Sequence, residues 1–308
     1  MRVGYIISGI LLLTLLNSNK IWAQQDSQYT QYMYNTMSFN PAYAGSRNVL
    51  SAFGLYRSQW VGLEGAPITN TFAVHAPVGE KVGLGLSFDS DKIGPMNENT
   101  VAVDFSYTIE TDSEYKVAFG VRAAANLLNV DFTKLTIQNP GDSSFQNNII
   151  NKLSPNIGAG VFVYSDRAYL GLSVPNFLET KHYDDNNAVS VKQEEMHFYL
   201  MGGYVFDLNY NLKFKPAVLV KAVIGAPIAA DISANFLYND LFTLGAAYRL
   251  NSSFSFMAGF QISEGLFAGY AYDSDTTKLT HYNGGSHEIF LRFELFRKFD
   301  KILNPRFF

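Results

Sequence analysis

The sequence predicts an all-β fold, a transmembrane antiparallel β-barrel of about fourteen strands with an ordered periplasmic or lumenal segment ahead of the first strand. Three observations lead there. Apolar residues recur at every second position through most of the chain, the period of a strand with two unlike faces. Aromatic residues make up 15% and charged residues only 16%, where a soluble domain carries about 25% charged residues. The links between alternating segments are in turn short and long, as in outer-membrane barrels.

In chain order, the first element is an address. Arg2 gives a positive start, Tyr5 to Leu16 form a short apolar core, and Ile21-Trp22-Ala23 ends on a small residue before Gln24-Gln25-Asp26. That order fits a secretory signal peptide over 1–23, cleaved after Ala23. The apolar run falls short of the roughly 18–20 residues that span a bilayer as a helix. Residues 24–49 form the N-terminal segment, and 50–308 the barrel with a short C-terminal tail. Cysteine is absent, so an exported chain takes its stability from elsewhere, and a closed ladder of hydrogen bonds supplies it.

Strands are expected near 50–60, 68–76, 82–90, 99–110, 114–128, 156–165, 168–175, 196–207, 212–223, 229–238, 241–250, 253–262, 266–273 and 287–296. The clearest has Val101, Val103, Phe105, Tyr107 and Ile109 on one face and Thr100, Ala102, Asp104, Ser106 and Thr108 on the other. Pro216 and Pro227 weaken the ninth and tenth, because proline cannot donate to a ladder. In the last strand Ile289, Leu291, Phe293 and Leu295 face lipid, and Glu288, Arg292 and Glu294 the lumen, since an Arg on the lipid face costs about 2–4 kcal/mol at mid-bilayer.

Even-numbered links such as Val78 to Lys81 and Thr111-Asp112-Ser113 are short. Odd-numbered ones are mostly longer, with 129–155, 176–195 and 274–286 the longest and Asn251-Ser252 the one short exception. An even strand count then places both chain ends in the periplasm. A soluble β-sandwich would show charges on its second face. Here that face is small, as in Gly83, Gly85 and Ser87, Gly158 and Gly160, or Gly171 and Ser173, which suits the crowded inside of a barrel. A lipocalin-like barrel has about eight strands, too few.

Chemistry is sparse. The histidines, His75, His182, His197, His281 and His287, form no ligand pattern, so no metal and no cofactor is expected. Ser173 in Gly171-Leu172-Ser173-Val174-Pro175 lacks the last glycine of a nucleophile elbow, and a phosphate loop is missing. The acidic balance, net −4, excludes nucleic acid as a partner. Lumen-facing charges are Asp104, Lys116, Arg122, Asp231, Arg249, Glu288, Arg292 and Glu294. Either they pair across strands or some contact a plug or partner. A three-residue turn centred on Asp112 would set Asp104 opposite Gly120, with Arg122 its diagonal neighbour.

The N-terminal segment is dense in tyrosine without a strict period, which a disordered tail does not need. It is therefore expected to be ordered, packed in or under the barrel mouth, as a plug or partner-binding element. Its Gln31-Tyr32-Met33-Tyr34-Asn35 and Asn40-Pro41-Ala42-Tyr43-Ala44-Gly45 resemble the opening signature of the PorP/SprF family. Gly171 to Asn176, Gly269 to Asp273, Gly285 to Ile289 and the terminal Asn304-Pro305-Arg306-Phe307-Phe308 resemble it too, so the likeness covers the whole mature chain. The resemblance implies a non-enzymatic barrel in outer-membrane lipid, linked to type IX secretion and gliding motility in Bacteroidetes. It also implies a secreted adhesin or other components of that machinery as partners. Gln31, Tyr32, Tyr34, Asn35, Asn40, Pro41, Tyr43 and Gly45 are then candidate partner-binding or plug residues, and Asp104, Arg122, Asp231, Arg249, Glu288 and Arg292 a lumenal polar network. The alternatives are a porin or solute channel and an outer-membrane lipid enzyme.

Mass spectrometry of the mature protein should find Gln24, or its cyclised form, as the first residue. A membrane-bound chain retaining Met1 to Trp22 would overturn the assignment of the leader.

Overall fold

Alternation dictates the architecture. A computed structural model describes residues 29–135, 147–178, 181–184, 187–193, 195–224 and 226–295. The expected leader, Gln28 and the terminal Asn304 to Phe308 lie outside the described residues. The strands are β1 (Leu50–Ser58), β2 (Ile68–Pro77), β3 (Val82–Ile93), β4 (Met96–Glu110), β5 (Lys116–Val130), β6 (Ile149–Tyr164) and β7 (Ala168–Val174). A separate hairpin follows, β8 (Lys181–Asp184) and β9 (Asn187–Gln193). The sheet resumes with β10 (His197–Tyr204), β11 (Phe206–Asn209), β12 (Leu212–Val223), β13 (Ala229–Tyr238), β14 (Phe242–Arg249), β15 (Ser253–Ser263), β16 (Leu266–Asp275) and β17 (Ser286–Leu295).

Every neighbouring pair is antiparallel, β1 closes on β17, and β10 joins β7 to β12. β11 prolongs β10 past Val205 and pairs with the start of β12 through a bulge. The main sheet is thus a closed antiparallel barrel of fourteen staves, β10 and β11 making one. Closure leaves no edge, so backbone groups are satisfied within the wall, as a hydrocarbon surrounding requires. No helix of the described residues is long and apolar enough to cross a membrane.

The two faces have the expected chemistry. Val101, Val103, Phe105, Ile157, Leu172, Ile289 and Leu291 are exposed on the outside, while Ala102, Asp104, Ser106 and Asn156 are buried inside. Tyr56, Tyr107, Tyr204 and Tyr238 stand exposed near the strand ends, where an amphipathic ring bridges hydrocarbon and water. Pro216 is held in β12 opposite Ala234.

The structure departs from the sequence expectation in several places: β6 begins at Ile149, inside the expected 129–155 loop, and the β8–β9 hairpin lies inside the expected 176–195 loop. β3 and β4 meet at Gly94-Pro95, Gly94 with φ +54°, so this odd link is a tight hairpin and not a loop. Its arms, Asp91 paired with Glu98 and Lys92 with Asn97, are polar, and pairing persists there without an apolar face to reveal it. The turn after β4 is wider than three residues, with Thr111 N and its hydroxyl both donating to the Tyr115 carbonyl. Glu110 pairs with Lys116 across it. The register moves by two positions, placing Asp104 directly opposite Arg122 and Gly120 opposite Ser106. Lys116, expected in the lumen, sits at the rim in an exposed ion pair with Glu110.

Val121 is 56% exposed on the outer face of β5. Val121→Arg should destabilise the barrel by about 2–4 kcal/mol in unfolding from lipid bilayers. A loss near zero would put that face in water.

Candidate functional site

The lumen is filled by the protein's own N-terminal segment. From Tyr29 to Arg47 every residue is buried except the half-buried Ser38. The chain makes one helical turn, Thr36–Phe39, then a 3-10 turn, Pro41–Tyr43. Asn40 sets up the second turn. Its side chain accepts from Ala42 N at 3.0 Å, as a capping Asn does, and Pro41 follows at the first helical position. Gly45, with φ +74°, and Asn48, with φ +60°, then turn the chain toward β1. Gly45 needs its missing side chain twice over, for that φ and because a Cβ would press on Gly83 Cα.

The small face of the wall has its cause here. Gly83, Gly120, Gly160 and Gly171 come from different staves, and a Cβ on each would overlap the segment. The clashes would be with the Ala44 carbonyl, the Ala42 backbone and the Asn40 amide. Together the glycines form a trench for Asn40 to Ala44. Asn40 is fully buried and donates from Nδ2 to the Val161 carbonyl at 3.0 Å. Rings fix the rest. Tyr34 lies 4.8 Å from Phe290 and 5.6 Å from Phe267, Phe39 meets Tyr199, and Tyr43 meets His75 and Phe162. Each large side chain so buried contributes about 1.5–3 kcal/mol relative to exposure.

Charged clusters organise the upper and middle lumen, on the side of the long loops. Glu288 accepts from Thr30 N at 3.0 Å, from Gln31 N at 2.9 Å and from Arg57 Nη1 at 3.0 Å. Arg57 Nη2 reaches Asp273 at 2.6 Å, and the Thr30 hydroxyl donates to the same carboxylate at 2.7 Å. Arg122 grips Asp104 with two bonds, 2.7 and 2.9 Å, and gives two further N–H groups to the Met37 and Ser38 carbonyls. Arg249 pairs with Asp231 at 2.7 Å and donates to the Tyr29 carbonyl. Toward the short-turn rim the balance reverses. Arg47 pairs with Glu294, Arg292 lies over Tyr34 and Phe267, and Lys215 lies 5.5 Å from the Tyr34 ring centre.

Of the residues singled out from sequence, Gln31, Asn40 and Gly45 contact the wall through hydrogen bonds, and so does Tyr32, whose hydroxyl meets Ser233 at 3.2 Å. Tyr34 and Tyr43 contact it through their rings. Pro41 seats against Gly120, while Asn35 accepts from Ser38 and serves the helical turn. Glu288, Arg122 and Arg249 all hold the segment. Arg292 stands apart from the Glu288 cluster, 3.9 Å from Glu294. The sequence reading missed Arg57, Asp273 and Arg47. Asp273 shares the parity of Gly269 and Ala271 and was open to the alternation rule. Arg57 shares its face with Phe53 and Leu55, which disguises that face as apolar. Ser173 donates to the Phe39 carbonyl at 2.7 Å. Among the described residues no three His, Cys, Asp or Glu side chains gather as a metal site.

Known proteins give three findings. A family model described as type IX secretion system membrane protein PorP/SprF matches residues 21–293. No curated protein matches. Among solved structures, the CymD monoaromatic hydrocarbon channel is similar with TM-score 0.50 and 11% identity over 86% of this chain and 93% of that one. The outer membrane protein Omp33 of Acinetobacter baumannii has TM-score 0.48 and 8% identity over 80% of this chain and 99% of that one. At such identities the likeness is one of fold.

Breaking the Asp104–Arg122 pair leaves a buried charge, which costs about 3–5 kcal/mol. Asp104→Asn and Arg122→Gln should each destabilise the barrel to that extent in detergent unfolding. The double variant should cost clearly less than the sum. Additive losses would mean that the two side chains do not meet in the folded protein.

Proposed function

The chain belongs to the PorP/SprF family of type IX secretion system membrane proteins, and from that premise we propose that it binds a secreted surface protein, through an adhesin-type C-terminal domain, and helps secrete it or anchors it outside the cell. Family and fold are those of an outer-membrane secretion component or channel, not of an enzyme. The short-turn rim, where β1 begins and β17 ends, faces the periplasm in this reading, and the long-loop rim presents the binding surface.

The observation that carries the proposal beyond family membership is the occupied lumen. A solute channel needs a wet passage with free polar groups along it. Here Glu288, Arg122 and Arg249 spend their hydrogen bonds on the chain's own backbone. What is left for recognition is the long-loop rim. There Val61 N donates to the Gly285 carbonyl, Gly284 N to the Val61 carbonyl and Gly94 N to the Gly65 carbonyl, knitting three links into one ridge. Val61, Leu279 and Tyr282 stand exposed in those links, apolar side chains that a protein partner could cover.

Two measurements test this. A photo-crosslinker at Tyr282 should capture a secreted protein on intact cells, and one at Asp112 should not. Capture from Asp112 alone would reverse the orientation. The purified barrel should show no ohmic conductance in planar bilayers, whereas a stable open pore would favour the solute-channel reading.

A further inference from the structure

The segment that fills the lumen is bound in the manner of a ligand. Its own backbone-to-backbone bonds run within itself, from Tyr34 N to the Gln31 carbonyl, Asn40 N to Thr36, Tyr43 N to Asn40 and Ser46 N to Tyr43. No strand of the sheet pairs with it. The wall reads it with side chains. Arg249 donates to the Tyr29 carbonyl, Arg122 to those of Met37 and Ser38, Ser173 to that of Phe39 and Ser106 to that of Ala44. In the other direction Glu288 accepts from Thr30 N and Gln31 N, and His75 Nδ1 accepts from Gly45 N at 3.1 Å. A wall that addresses main-chain groups along a whole segment, with a glycine trench cut for one turn, is the chemistry of a peptide-binding site.

We propose that the lumen is a peptide-binding site, that residues Tyr29 to Arg47 are its resident ligand, and that this ligand is separable from a barrel that stands without it. The ladder supports separability, because it is complete around the ring without any contribution from the segment. The chemical class of ligand follows from the trench. It takes a turn in which Asn precedes Pro and a small residue, followed by an aromatic ring. The Asn amide must reach the Val161 carbonyl, the small residue must lie flat on Gly120, and the ring must enter between His75 and Phe162. Ahead of it two successive backbone N–H groups engage Glu288, and a hydroxyl side chain, here that of Thr30, donates to Asp273. The inference does not depend on what the long-loop rim carries.

The test uses the folded full chain with a specific protease site placed after Asn48, which is exposed. After cleavage the barrel should migrate in unheated gel electrophoresis as the uncleaved folded barrel does. A fluorescent synthetic peptide of Tyr29 to Asn48 should then exchange into it, saturably and in competition with the unlabelled peptide. The Asn40→Ala peptide loses the bond to Val161 and the cap on Ala42, and should bind at least about tenfold more weakly. Gly160→Val in the barrel should abolish uptake. Should that variant not fold, the peptide series decides alone. Collapse of the barrel on cleavage would overturn the proposal, because the segment would then be part of the wall. So would failure of the labelled peptide to enter, or equal binding of a scrambled peptide.

Discussion

Glu288 is the group on which the rest of the lumen depends. A carboxylate with no exposed side-chain surface is tolerated only when its charge is paired and its oxygens are occupied. Arg57 supplies the charge, and Thr30 and Gln31 supply backbone N–H groups. Neither source suffices alone, since Arg57 is itself shared with Asp273. The segment therefore completes the polar satisfaction of the wall's inner face, and the wall gives the segment its shape, while the ladder closes without it. The same reciprocity recurs at Arg122, whose guanidinium divides itself between Asp104 and two segment carbonyls.

The outside of the barrel obeys a simpler rule. Any side chain that meets lipid must be apolar, and any strand that crosses lipid must be hydrogen-bonded on both edges. Those two demands produce the exposed Val, Leu, Ile and Phe of the outer face and the closed ring behind them. The inner face is freed from both demands, which is how it can carry Arg, Asp and Glu at a density that no lipid-facing wall would bear.

This division explains what was legible beforehand. Where a strand crosses lipid the two faces must differ, so β4, β5 and β17 were readable from alternation alone. Where the wall rises past the bilayer the demand lapses. The polar outer ends of β3 and β4 and the first residues of β6 therefore read as loop, although they are paired. The register at Asp104 was missed by two positions because nothing in Thr111 to Tyr115 announces a turn closed by a threonine hydroxyl. The tyrosines and the Asn40-Pro41 pair marked the segment as ordered, but its seat was hidden. Gly83, Gly120, Gly160 and Gly171 are far apart in sequence and become one trench only when the strands are aligned. Arg57 stayed hidden behind Phe53 and Leu55 for the opposite reason, since neighbours on its own face resemble a lipid-facing stripe.

The left-handed residues Gly45 and Asn48 have a topological consequence. They fold the chain back at the short-turn rim, so the segment enters the barrel beside the start of β1 and lies within it as a tongue, crossing no strand on the way. A ring closed over a thread would have to form around it in a fixed order. A ring entered by a tongue carries no such obligation. The cylinder can shut first and the tongue fold in afterwards through an open rim, leaving an unknotted chain whichever step comes first.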